Sequence, residues 1–149
     1  FDEFLAPYYK MQNQVLDKLG VMPIVDSDGD ITVPAAWFES VGIQGILPLE
    51  RQAGVDLAVL RAAHPRMKFI GHFDKMTMHR GEAALRGEFE RLLPIASKGG
   101  FLVGCDHQTP PGVSYKNYQL YLSLFREYGV EAGRRSAALQ HVTGPVKKQ

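Results

Sequence analysis

Phe101-Leu102-Val103-Gly104-Cys105-Asp106-His107 decides how the rest of this chain is read. A short apolar run, of strand length rather than helix length, stops abruptly at a carboxylate and an imidazole. The same pattern occurs three times upstream. Val21-Met22-Pro23-Ile24-Val25 runs into Asp26-Ser27-Asp28-Gly29-Asp30, Gly45-Ile46-Leu47-Pro48-Leu49 runs into Glu50, and Lys68-Phe69-Ile70-Gly71 runs into His72-Phe73-Asp74-Lys75. A helix-like stretch follows each. Alternating strands and helices predict an α/β fold of four parallel βα units, because parallel neighbours need a crossover. Right-handed crossovers then bring the four polar ends to one edge of the sheet. An open sheet and a closed barrel both satisfy this pattern.

The helices are legible from spacing and punctuation. In Phe1 to Leu19, the residues Phe4, Leu5, Tyr8, Met11, Val15 and Leu19 recur at helical intervals, with Pro7 near the start and Gly20 as a stop. Thr32 is placed to cap a helix whose first turn holds Pro34 and which Gly42 closes. A helix from about Val55 to Ala63 ends before Pro65. Arg80 to Ser97 is the clearest amphipathic segment, with Leu85, Phe89 and Leu92 on one side and Gly99-Gly100 beyond its end. Ser114 is placed to cap a helix from Tyr115 to Tyr128, which Gly129 stops. A shorter helix is expected from Val130 to His141. Thr143-Gly144-Pro145 and Lys147-Lys148 read as a frayed end.

Composition narrows the function classes. The chain is 45% hydrophobic and 22% charged with net charge +1, so it lacks the concentrated basic face that nucleic acid requires. No apolar run approaches the roughly 20 residues that span a bilayer, and no signal-peptide pattern opens the chain. The expectation is a cytoplasmic protein without nucleic-acid or membrane partners. The opening at Phe1, inside a helical pattern, predicts a fragment of something longer. The lone Cys105 has no partner for an intramolecular disulfide, fits a reducing compartment, and reads as a small buried hydrophobe. His64, His79 and His141 read as surface histidines.

From Gly45 to Tyr128 the chain resembles the C-terminal half of the uroporphyrinogen decarboxylase superfamily. The matching features are Pro48-Leu49-Glu50 with Ala53-Gly54-Val55-Asp56, then Gly71-His72-Phe73-Asp74-Lys75, then Gly99-Gly100-Phe101. Asp106-His107-Gln108-Thr109-Pro110-Pro111 and Tyr115-Lys116-Asn117-Tyr118 follow. The opening helix, with Phe4 and Pro7-Tyr8, is also similar. The superfamily joins heme-pathway decarboxylases to corrinoid- or cobalamin-dependent methyltransferases. The resemblance implies the last four strands of a TIM-type (β/α)8 barrel. Residues 1–149 would form one domain fragment, with the half-barrel in 1–130 and a C-terminal helix and tail in 131–149. It implies a carbon–carbon lyase acting on a porphyrinogen carboxylate or a similar small polar substrate. The alternatives are a metal-dependent methyltransferase-like protein with a corrinoid protein as partner, and an inactive module that self-associates.

The candidate site residues stand at the strand ends. His107 and His72 are the expected catalytic groups, as proton carriers or substrate contacts. Asp26, Asp28, Glu50, Asp74 and His107 are the expected substrate-binding groups. Asp28 also reads as an ordinary Asx-turn residue. Asp26, Glu50 and His107 together offer two carboxylates and an imidazole, a set that suits a divalent metal such as zinc. In the zinc methyltransferases the place of Asp26 and Asp28 holds a His-x-Cys pair, so a cysteine-ligated, thiol-activating zinc is not expected here. Half a barrel leaves unpaired strand edges and an apolar face. A homo-oligomer closed by a two-fold axis is therefore expected.

Overall fold

Four strands lie side by side in chain order: β1 (Ile24–Asp26), β2 (Gly45–Leu47), β3 (Lys68–Phe73) and β4 (Phe101–Cys105). The sheet is parallel. Ile24, Val25 and Asp26 pair with Gly45, Ile46 and Leu47, and Gly45 and Ile46 pair in turn with Lys68 and Phe69. The computed structural model describes residues 1–143. The frayed end expected at Gly144-Pro145 and Lys147-Lys148 lies outside the described residues.

The chain divides into two units, Phe1–Asp74 with Leu102–Gln108, and Lys75–Phe101 with Thr109 onward. The first unit holds the sheet with helices α1 (Ala6–Lys18), α2 (Pro34–Ser40) and α3 (Leu57–Ala63), and a 3-10 turn at Arg51–Ala53. Ile46, Phe69 and Phe73 from the strands and Ala35, Leu57 and Leu60 from the helices are almost wholly buried. The second unit holds a 3-10 turn at Lys75–Thr77 and two long helices, α4 (Glu82–Ala96) and α5 (Tyr115–Thr143). Phe89 of α4 stacks on Tyr121 and Tyr128 of α5, with ring centroids 5.6 and 5.2 Å apart. Arg86 of α4 joins Glu82 on its own helix to Glu127 on α5.

Several boundaries differ from the sequence reading. α5 runs unbroken through Gly129 and past residue 130. Gly129 does not adopt the left-handed conformation that ends a helix, and a single interior glycine costs only about 1 kcal/mol. Thr32 does not cap α2, whose N-cap is Val33. The Thr32 hydroxyl and N–H both donate instead to Asp30 Oδ1, at 2.6 and 2.9 Å. Ser114 does cap α5, accepting from the Asn117 N–H at 3.2 Å. His64 is buried rather than on the surface, with Nδ1 2.7 Å from Glu39 Oε2. His79 and His141 are exposed. β3 runs two residues further than expected, to Phe73, which draws His72 into the sheet.

Helix α1 carries apolar residues on two sides, and the Tyr9 ring packs inward against Phe38. Its buried residues are Ala6 and Asn13, and Asn13 Nδ2 donates to the Val41 carbonyl at 2.7 Å. Tyr8, Met11 and Val15 of the helix, with Phe4, Leu5 and Leu19 flanking it, face outward, each more than half exposed.

Candidate functional site

The polar edge of the sheet is shaped by an abrupt change of direction after β2. The Leu47–Pro48 peptide is cis, and Leu49 takes φ +64° while wholly buried. On the neighbouring strand, Gly71 and His72 have φ +111° and +62°. The two turns are interlocked. The His72 N–H donates to the Pro48 carbonyl at 3.0 Å, and His72 Nδ1 donates to the Leu49 carbonyl at 2.9 Å. A carbonyl only accepts, so that second bond requires the proton on Nδ1. Glycine at position 71 is a steric requirement, because a Cβ there would stand 1.9 Å from the Pro48 oxygen.

Asp106 completes the scaffold. It is wholly buried just beyond β4. Its N–H donates to the Phe73 carbonyl at 2.9 Å, and its Oδ2 accepts the Arg51 N–H at 2.9 Å. The carboxylate thus fastens the start of the 3-10 turn after β2 to the end of β4. Cys105 and His107, on either side of it, fall on the opposite side.

That side is a cleft of about 550 Å³, lined by Asp26, Asp28, Leu47, Pro48, Cys105, His107 and Gln108. Asp26 ends β1, and the Ser27 N–H continues the ladder to the Leu47 carbonyl at 2.9 Å. His107 Nε2 stands 3.7 Å from Asp28 Oδ1, too far for a hydrogen bond and close enough for an ionic contact. Both side chains are open to solvent. Cys105, expected to be buried, is half-buried on this cleft.

Three of the predicted site residues therefore share the cleft: Asp26, Asp28 and His107. Glu50 and Asp74 are not part of its lining. Glu50 stands at the head of the 3-10 turn, and Asp74 Oδ1 accepts from Gln52 Nε2 at 2.8 Å. The turn through Leu49 carries the chain away before Glu50 is reached. His72 does not stand open at the mouth as expected. It is wholly buried and organises the backbone beneath the cleft. The expected Asp26, Glu50 and His107 metal set is not assembled. Among the described residues no group of three or more His, Cys, Asp or Glu side chains is arranged to hold a metal.

Sequence reasoning passed over Asp106, naming it only as a neighbour of His107. Its place as the first polar residue after the apolar run of β4 was the available signal. Asp30 was read as a turn residue, which it is. The Thr32 hydroxyl, then the Thr32 N–H, hold its carboxyl below the usual carboxylate range.

No protein-family model matches the chain, and neither does any curated protein or solved structure. Among the described residues no helix is long and apolar enough to cross a membrane.

Proposed function

We propose that the chain is the C-terminal half of a uroporphyrinogen decarboxylase-like (β/α)8 barrel, and that its cleft forms part of the substrate site of a carbon–carbon lyase. The observation that carries this reading is the cleft's position. It lies at the carboxyl edge of a parallel sheet whose strands follow chain order without reversal. Barrels have that order, and they bind substrates at that edge. Doubly wound sheets reverse their strand order beside the ligand instead.

The cleft's chemistry supports a polar substrate carrying both acids and donors. His107, when protonated, donates to a substrate carboxylate. Asp26 and Asp28 accept from N–H or O–H groups, such as the pyrrole N–H groups of a porphyrinogen. Asp106 and His72 touch no substrate in this scheme and keep the cleft's floor in place. The residues that complete the reaction lie in the other half of the barrel.

A fluorescence titration with a tetracarboxylate porphyrin tests this reading. Saturable binding is expected. His107→Ala should weaken it about tenfold or more, the worth of one charge-assisted hydrogen bond. Asp26→Asn should weaken binding less, because an amide oxygen still accepts. Absence of binding, or binding indifferent to both substitutions, would sink the proposal. Elemental analysis of the same sample separates the methyltransferase-like reading, for which a near-stoichiometric divalent ion is required.

A further inference from the structure

We infer that the outward face of α1 is the interface through which two copies of this chain pair, antiparallel, about a two-fold axis near Met11 and Gln12. This inference does not depend on the proposed function. It rests on the second apolar side of α1, which points away from buried Ala6 and Asn13 and from the Tyr9 ring that packs on Phe38, and which is exposed.

The exposed face is ordered rather than scattered. At about 100° per residue, Met11, Phe4, Val15, Tyr8, Leu19, Gln12 and Leu5 fall in that order around one side of the helix. Together they occupy an arc of about 120°. No charged residue lies within it. Shallow grooves bordered by Tyr8 and Gln12, and by Met11 and Val15, run along it. A solvent-facing stripe of this width is a recognition surface more often than an accident of folding.

Its size suits a second copy. Whole aromatic side chains offer roughly 150–250 Å² each, so six half-exposed apolar residues present on the order of 600–700 Å². Each partner of an ordinary stable interface buries about 800 Å². The residues on either side of the stripe supply the difference, since Val21 and Met22 just beyond the helix are also exposed.

The stripe is also self-complementary in an antiparallel sense. With the axis between Met11 and Gln12, Phe4 lies over Leu19 of the second copy and Tyr8 over Val15. Each large ring thereby meets a smaller aliphatic group, as an isologous two-fold interface requires. Charge agrees with the direction. Exposed Asp2 and Glu3 precede the helix at one end, and exposed Lys18 stands beside Met11 at the rim of the stripe at the other. Antiparallel pairing brings the acidic end of each copy to Lys18 of the other. Parallel pairing would place like charges together. Asp17 lies on the opposite side of the helix.

Light scattering of the full chain at tens of micromolar tests the inference, alongside the Tyr8→Glu, Val15→Glu double variant. The wild-type chain should give twice its 16.6 kDa mass and the variant the single mass. Circular dichroism should be unchanged, because both positions face solvent in the single copy. A wild-type monomer, or a variant that remains dimeric, overturns the proposal. Cross-linking gives a second reading that survives a poorly folded variant. In a Cys105→Ser background, Gln12→Cys should form a disulfide-linked dimer under mild oxidation, whereas Phe4→Cys should not. The reverse result excludes the antiparallel register.

Discussion

Gly71 shows how far one residue's requirement reaches. Its missing Cβ leaves room for the Pro48 carbonyl, and that carbonyl then accepts the His72 N–H. Gly71→Ala should therefore destabilise the chain by about 3 kcal/mol or more, combining a strained φ with a backbone collision. Gly54→Ala is the control. Its φ is +90°, but a Cβ there meets nothing, so only the backbone cost of roughly 1–2 kcal/mol applies. Urea denaturation of the two variants checks this, and equal midpoints would mean that position 71 relaxes freely. The sequence reading reached this glycine as the end of a strand and placed His72 beyond it. It could not see the close approach of two backbones, because their contact depends on the turn through Leu49. Asp26, by contrast, was legible as the first polar residue after its apolar run, and His107 and Asp28 as polar residues one and two places beyond the first.

Among the elements, α3 shows how local signals and burial divide the work. Leu57 and Leu60 supply its buried side, and Asp56 supplies its start. The Asp56 carboxylate accepts the Ala58 and Val59 N–H groups at 2.8 and 3.2 Å. The Val59 N–H is the chief cause that holds its carboxyl below the usual range, against a smaller opposing effect of burial. A depressed folded-state value stabilises the ionised form. The cap's contribution is therefore full above about pH 4 and is lost as pH falls through the folded-state value. Asp56→Ala should cost about 1 kcal/mol at neutral pH. The gap between variant and wild type should narrow progressively as pH falls below 4, and a gap that does not narrow on acidification would assign the effect to something other than the cap. The order of the strands was read from apolar runs and β4 to the residue, but β1 begins at Ile24 rather than Val21 and β2 ends at Leu47 rather than Leu49. Helix ends were read less well wherever a glycine or threonine had two plausible uses. Gly129 had the composition of a stop, but the stacking of Phe89 on Tyr121 and Tyr128 accompanies a helix that continues through it.

At the scale of the whole molecule, the α/β class and the parallel sheet followed from repetition, since each strand pairs with its successor in the chain. The division into two units did not follow, because nothing in the composition changes at Lys75 or Thr109. The three-residue cluster of Asp26, Glu50 and His107 was assembled from sequence by assuming that every strand end faces one mouth. Only two of the three line the cleft, since a strand end can also turn inward or away. The exposure of one apolar side of α1 was equally hidden. Periodicity reveals that a helix has an apolar side without saying which neighbour that side meets.

That exposed stripe has a thermal consequence. An association held by an uncharged apolar stripe is driven near room temperature by the release of water, and this drive fades on cooling. A pair formed through α1 would loosen in the cold and recover on warming. Sulfate would oppose the loosening, because excluded salts strengthen apolar burial. A preparation handled on ice would then hold more single chains, with their stripes bare and open to whatever apolar surface they meet first.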